Sequence, residues 1–482
     1  MKGRSWAHQT AAVDFCRERR ASVLNMGLRT GKTRVVIELW EEWKPKLTVI
    51  IAPKRVMPVW PQQFALHSDE DVLVCEPRGS SSQKATSWMK HVRRFKPHGP
   101  SVAVLNYESF WRGMLGELLL SMHVDLLVFD EVHKIKSPIG KASKFAQRLA
   151  PQCERVLGLS GTLMPHSPMD AWAVGMVIDP NVLGRSFTVH RNTYAIVRKQ
   201  TVRQKGRVRE VPIIVGYRNE EDLGRRLAKF CYSVDRDVLD LPPATHEIVE
   251  CELSKDCLRI YEPLAAGFSA ECKSGVINPA NALVKFTRLA QLTGGWAAVD
   301  SQTGERVDKA KMEATQELIE LAGKEPIVVF AMYKHDLAQI RNAAALAFGE
   351  STKPNPDITR VGQKMWYELS GSVDELDLWK QHGGVLACQI RSGGIGIDLT
   401  AARYCVFYSV GHSLGDYEQA LARIHGPDRH DPVTYFHLVA PGTVDEAVYE
   451  ALQCRKDIIT TVVDSMKEAQ SDGRREEESA PF

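Results

Sequence analysis

Two short stretches of this chain place chemistry-bearing residues at spacings that suit phosphate chemistry. In MGLRTGKT, the residues Gly27, Arg29, Thr30, Gly31, Lys32 and Thr33 sit between an apolar run, ASVLNM, and a helical stretch, TRVVIELWEEW. Small residues let backbone N–H groups close on phosphate oxygens, the helix N-terminus adds its dipole, and the lysine adds a cation. In that reading Lys32 neutralises the β and γ phosphates of ATP and Thr33 ligates Mg²⁺. A GKT tripeptide alone also occurs in surface turns, and its position between strand and helix is what favours phosphate. Arg29 stands either toward solvent or against a phosphate. At the end of another apolar run, VDLLVF, come Asp130, Glu131, Val132 and His133. Asp130 there would hold Mg²⁺ through water, and Glu131 would orient and deprotonate an attacking water. An isolated Asp-Glu pair after a strand more often caps a helix. The phosphate loop upstream tips the reading toward hydrolysis, and His133 is then a link from that site to the next motif rather than an exposed first-turn residue.

Such residues need rigid elements to aim them. The runs ASVLNM, LTVIIAP, SVAVLNY, VDLLVFDE and RVLGLSGT alternate with helical stretches, the order of a parallel α/β sheet. Ligands of such sheets bind at the C-terminal strand edge. A second series follows in PIVVFAM, GVLACQI, YCVFYSV and TYFHLVA. The expected organisation is a nucleotide-binding lobe over 1–180, a basic insertion continuing it over 181–240, and a linker with helical segment over 241–305. A second lobe over 306–465 and a disordered, charged tail over 466–482 complete it. At 482 residues the chain exceeds a single core, and 44% hydrophobic with 25% charged residues argues against wholesale disorder. A net charge of +3 means that any polyanion surface comes from local clusters. Two such clusters are Lys90, Arg93, Arg94 and Lys96, and Arg198, Lys199, Arg203, Lys205, Arg207 and Arg209; each is equally well a solvated face. The ten cysteines lack CxxC spacing, the start lacks a secretory signal, and the Gly113–Phe129 stretch is too polar to span a bilayer. A reducing cytoplasm and no membrane contact are expected.

With DEVHKIKSP beside the phosphate loop, the chain resembles the DEAH-box, Swi/Snf-like ATPases of helicase superfamily two, particularly their compact bacteriophage and bacterial forms. The likeness runs from Trp6 to about Leu452. It implies two tandem RecA-like parallel-sheet lobes with an ATP cleft between them and an insertion after the third motif. In WAHQ, Gln9 would read the adenine edge. Pro53, Lys54 and Trp60, in and after IIAP, would contact the nucleic-acid backbone, and LNYES resembles the following motif. LSGT places Ser160, Gly161 and Thr162 where the family couples hydrolysis to movement. IVVFAMYKHDL and LACQIRSGGIGIDLTAA resemble the next motifs, with Gly393, Gly394 and Gly396 near phosphate and Asp398 at the nucleotide. In QALARIHGPDR, Gln419 and Arg423 would face the γ-phosphate.

The chain departs from the family where a second arginine is expected three residues after Arg423. It has Gly426 instead, and Arg429 or Arg29 are the residues that could compensate. The resemblance implies an ATP- and Mg²⁺-dependent DNA translocase or helicase acting on duplex DNA without sequence preference, working as a monomer or recruited by other proteins. The alternative is an ATP-gated DNA-binding scaffold with little or no hydrolysis. A small-molecule kinase would explain the first lobe and leave the second set of motifs without purpose.

Overall fold

The computed structural model describes residues 5–70, 72–95, 100–204, 207–267, 270–272, 275–277, 282–300, 303–348, 366–390, 397–427 and 429–479. The chain divides into two compact units, Met1–Leu239 with Arg455–Phe482, and Asp240–Cys454.

In the first unit, the strands β1 (Ala21–Met26), β2 (Leu47–Ala52), β3 (Leu73–Cys75), β4 (Ser101–Asn106), β5 (Leu126–Asp130) and β6 (Arg155–Ser160) come in chain order with helices between them. After them β7 (Ala195–Gln204) and β8 (Arg207–Tyr217) form a separate antiparallel ribbon, and β9 (Cys231–Val234) returns to the sheet. The sheet order is β3-β4-β2-β5-β6-β1-β9, and every neighbouring pair is parallel. The strands are predominantly apolar because both faces are covered. Val49, Ile51, Ala103, Leu105, Leu127 and Phe129 pack into one core. Their chain neighbours Ile50, Ala52, Val102, Val104, Leu126 and Val128 pack into another. Each such Val, Leu, Ile or Phe side chain contributes about 1.5–3 kcal/mol by leaving water. The alternation decides which core each side chain enters, and the parallel order of the strands sets their C-terminal ends along one edge.

The second unit holds β10 (Ala244–Glu250), two small hairpins from β11 (Ala270–Cys272), β12 (Gly275–Ile277), β13 (Trp296–Ala298) and β14 (Gly304–Arg306), then β15 (Ile327–Ala331), β16 (Trp366–Leu369), β17 (Val385–Gln389), β18 (Tyr404–Phe407) and β19 (Val433–Val439). Its sheet, β10-β19-β18-β15-β17-β16, is again parallel. A buried ion pair, Lys311 to Asp445 at 2.6 Å, locks helix Ala310–Ala322 to the start of helix Val444–Ser479. Lys311 also donates to the Tyr408 carbonyl at 3.1 Å and Asp445 accepts from the Thr293 hydroxyl at 2.8 Å, so both buried charges are satisfied.

The two parallel-sheet lobes match the sequence expectation, but three boundaries differ. Within 181–240, β9 is a sheet strand of the first unit, not insertion. Within 241–305, β10 is a strand of the second sheet, paired along its length with β19. The expected disordered tail from 466 is a correction: helix Val444–Ser479 runs through it, and residues from Arg455 belong to the first unit. Ile459, Val462, Val463 and Met466, at helical spacing, pack on that unit's core. Charged neighbours hid the stripe in the sequence. Opposite it stands Gly224, where an added Cβ would lie 2.5 Å from the Val462 carbonyl oxygen. Among the described residues no helix is long and apolar enough to cross a membrane.

Met466 is fully buried, so Met466→Ala should lower the stability of the first unit by about 2–4 kcal/mol. Urea unfolding followed by fluorescence checks this; an unchanged midpoint would mean that the helix end does not pack there.

Candidate nucleotide site

The site begins where β1 stops. The chain turns through Gly27–Gly31 and enters helix Lys32–Trp43, whose first backbone bond is Val35 N–H to the Gly31 carbonyl at 3.2 Å. Gly31 has φ 86°, a left-handed conformation suited to glycine, and a Cβ there would lie 2.1 Å from Gln9 Nε2. Gln9 itself is buried; its Oε1 accepts from Trp6 N–H at 3.0 Å and its Nε2 donates to the Thr30 carbonyl at 3.1 Å. The His8 ring contacts the same carbonyl at 2.9 Å. The loop is thus held from behind by helix Ala7–Arg17. Lys32 Nζ donates to the carbonyls of Met26 and Gly27 at 2.8 and 3.0 Å, tying the ammonium to the end of β1.

In front of the loop is a cavity of about 360 Å³ lined by Trp6, Gln9, Arg29, Gly31, Lys32, Thr33, Arg34, Gln63 and His67. Arg29, Lys32 and Arg34 bring three cations and no carboxylate lines the wall, which suits a polyanionic ligand. Arg29 has a positive φ of 67° and lies on the cavity wall, the inward of its two sequence alternatives. Gln63 and His67 come from helix Val59–His67 and carry no motif, so sequence reasoning missed them. Arg34 likewise carries no motif, whereas Trp6 lies within WAHQ, of which only Gln9 was singled out from sequence. Burial and the Arg34 charge lower the His67 pKa.

The acidic half of the site is made at the ends of β5 and β6, two neighbouring strands, with β6 also beside β1. Asp130 ends β5, and Glu131 takes the left-handed region with φ 59° before the short helix Val132–Ile135. Tyr107 holds this turn by donating its hydroxyl to the Asp130 carbonyl at 2.9 Å. Trp60 Nε1 donates to Asp130 Oδ2 at 3.0 Å. Burial, and next the charge of Glu131, push the Asp130 carboxyl up to about 7, against the Trp60 bond and the charge of Lys32. Glu131 is buried; its Oε2 lies 3.3 Å from His133 Nδ1 and has no hydrogen bond among the described residues. His133 Nδ1 is also 3.1 Å from Ser160 Oγ, which accepts from Thr162 N–H at 3.1 Å. Burial pulls the His133 pKa down. Glu131, His133, Ser160 and Thr162 therefore form one connected series of contacts, and Gly161 lies between the last two. Two carboxyl groups crowded out of water, with Lys32 near enough for its charge to act on Asp130 and the next residue, Thr33, on the cavity wall in the first turn of helix Lys32–Trp43, are residue types suited to a hard divalent cation such as Mg²⁺.

Several sequence expectations need correcting. Trp60 is 1% exposed and serves Asp130, so it is no nucleic-acid contact. Pro53 is buried as well, whereas Lys54 is exposed after β2. Arg429 is not a spare catalytic arginine: its guanidinium donates to the carbonyls of Asp431, Thr400, Ala402 and Pro432 and is 8% exposed. It is a brace of the second unit. In that unit Asp398 accepts from the Thr400 backbone N–H and hydroxyl, Gln419 is buried on helix Leu414–Ile424, and Arg423 Nη1 donates to the Ile397 carbonyl at 3.4 Å. These three share one small region, joined by Leu399 N–H to the Arg423 carbonyl at 3.1 Å. Gly393, Gly394 and Gly396, like Lys96 and Lys205, lie outside the described residues. Sequence reasoning also missed Lys84, buried on helix Ser81–Phe95, which donates to Asn106 Oδ1 at 2.5 Å and Ser109 Oγ at 2.8 Å in the LNYES segment. Lys90 and Arg93 on that helix are exposed.

Comparison with known proteins adds to this geometry. Residues 9–294 match the family described as SNF2-related domain. Protein p41 of Acyrthosiphon pisum secondary endosymbiont phage 1 is 24% identical over 466 residues, covering 92% of this chain and 94% of its own length. DNA repair and recombination protein RAD54B of Gallus gallus is 22% identical, across 76% of this chain and 43% of that protein. A SWI/SNF-related matrix-associated actin-dependent regulator of chromatin subfamily A-like protein 1 from Drosophila melanogaster is 23% identical, across 82% of this chain. The chain spans about half the length of these two larger relatives. A solved structure, the Sulfolobus solfataricus SWI2/SNF2 ATPase core in complex with dsDNA, aligns over 96% of this chain and 94% of its own, with TM-score 0.42 and 18% identity.

Removing the indole N–H with Trp60→Phe deletes a bond to a carboxylate, worth about 1.5–3 kcal/mol. Mg²⁺-dependent nucleotide hydrolysis near neutral pH should fall about tenfold or more. Nucleotide affinity without Mg²⁺ should hold. A loss of metal-free nucleotide binding in equal measure would show that Trp60 supports the fold alone.

Proposed function

The chain belongs to the SNF2-related family, and from that premise we propose that it is a nucleic-acid-stimulated ATPase that couples hydrolysis to movement along duplex DNA. The observation that carries the reading is the cavity with three cationic walls, set beside a buried carboxylate pair on the same strand edge. Arg29, Thr30, Gly31 and Lys32 cradle the phosphates, and Gln9 holds the loop while facing the same cavity. Thr33 and Asp130 are the residues that would hold Mg²⁺, which supplies charge neutralisation when bound. Glu131 takes the proton of the attacking water. His133, Ser160, Gly161 and Thr162 carry the change at Glu131 to the end of β6. From the second unit, Asp398, Gln419 and Arg423 are the contributions to nucleotide binding and hydrolysis, and Arg423 is the transition-state cation.

The polymer is assigned from the relatives named for DNA repair and recombination; in the cluster from Arg198 to Arg209 no aromatic residue stands among the basic ones, which disfavours a stacking platform for single strands there. Lys54, Gly393 and Gly394 remain the candidate backbone contacts of the two lobes. The setting that fits is bacteriophage or bacterial DNA metabolism in the cytoplasm, as a compact, DEAH-type motor acting as a monomer or brought to DNA by partner proteins. One observation favours a second reading, an ATP-gated DNA scaffold: Arg429 is fully engaged, so it does not replace the arginine absent at Gly426.

Hydrolysis measured without polymer, with single-stranded DNA, with duplex DNA and with RNA separates the two. The motor reading predicts strong stimulation by duplex DNA, lost in Lys32→Ala and in Glu131→Gln. ATP binding with no turnover on any polymer would hand the assignment to the scaffold.

A further inference from the structure

The ribbon β7–β8 pairs with neither sheet. Its strands of ten and eleven residues give a reach of about 30 Å at ~3.3 Å per residue. The root is fixed: Tyr194 and Ala195 are buried, the Tyr194 hydroxyl donates to Asp222 at 2.7 Å, and Val197 and Tyr217 pack on the first unit's core. Past the root the ribbon stands in solvent, with Arg198, Lys199, Thr201, Glu210 and Pro212 exposed.

The strand register sorts its charges. Arg198 pairs with Ile213, Gln200 with Val211, Val202 with Arg209 and Gln204 with Arg207, and these positions share one face. Lys199 with Pro212, Thr201 with Glu210 and Arg203 with Val208 share the other. The first face holds Arg198, Arg207 and Arg209 with two glutamines and no carboxylate. The second holds Glu210, which pairs with Lys199 at 3.0 Å. The two ribbon arginines singled out from sequence, Arg203 and Arg207, therefore lie on opposite faces.

We propose that the acid-free face of this ribbon is an arm that grips the phosphate backbone of duplex DNA outside the motor site. The proposal rests on the DNA reading above and deepens it. Arginine suits phosphate oxygens because its planar fork donates two parallel bonds. A two-stranded ribbon also fits the width of the major groove, and about 30 Å is close to one turn of duplex. No aromatic residue shares the face, so bases are not stacked on it.

The test is duplex binding without nucleotide, by fluorescence anisotropy across roughly 50–200 mM salt. Each phosphate contact contributes about 0.9 to the slope of log affinity against log salt. The triple variant Arg198→Gln, Arg207→Gln, Arg209→Gln should lower that slope by about 2.7, with its thermal midpoint retained. The opposite-face pair Lys199→Gln, Arg203→Gln should leave the slope within about one unit of wild type. An unchanged slope in the triple variant, or an equal fall in the opposite-face pair, overturns the arm. Duplex-stimulated hydrolysis by the wild type, measured alongside, separates the two proposals. Stimulation with an unchanged slope removes the arm alone, whereas a lost slope without stimulation keeps the arm and removes the motor. No duplex binding by the wild type removes both.

Discussion

Asp130 and Glu131 place two carboxyl groups side by side and largely out of water, an arrangement that is costly until a cation compensates it. The architecture of the first lobe answers to that constraint. Burial and the charge of Glu131 hold Asp130 at about 7, while Trp60 and Lys32 each relieve part of the strain from a different element and Tyr107 holds the backbone of the turn. Glu131 reaches its place only by adopting a left-handed backbone. That conformation costs a residue other than glycine or asparagine on the order of 1 kcal/mol or more. Rigid flanks are what make it tolerable: β5 lies between β2 and β6, and the helix Val132–Ile135 begins at once. The pair is then in contact with His133 and, through it, Ser160 at the end of β6.

The phosphate loop shows the complementary solution. Its lysine is parked on the carbonyls that end β1, and its last glycine lies so close to Gln9 that no side chain fits. Contacts within the chain thus fix the loop's shape, and a loop so held lowers the ordering cost of binding. Gln9 fulfils this packing role through both ends of its amide. Its position on the cavity wall lets one residue report on the loop and the ligand together.

Much of this was legible in the sequence because it rests on local order. ASVLNM followed by MGLRTGKT, and VDLLVF followed by DEVH, name strand, loop and ligand group together, and two repeats of the strand pattern gave two parallel sheets. What escaped depended on distance. Trp60 reads as an exposed aromatic beside IIAP until the fold brings Asp130, seventy positions on, to its indole. Arg429 reads as a free cation until four carbonyls from Thr400 to Pro432 close around it. Lys84, Gln63 and His67 carry no motif at all. The last helix was hidden because its buried stripe is short and its other faces are charged, so composition outweighed period. The face on which each ribbon arginine lies needed the register, which a bulge at Ile196 and Val197 shifts by one residue.

If the buried carboxylate pair takes a cation with the nucleotide, protons leave it on binding. Calorimetry of Mg²⁺-ADP binding at pH 6.5, in buffers of different ionisation enthalpy, measures the protons released. With Asp130 raised to about 7, ionisation on binding should release more protons from the wild type than from Asp130→Asn. Equal release from both proteins, or uptake by the wild type, would contradict the account.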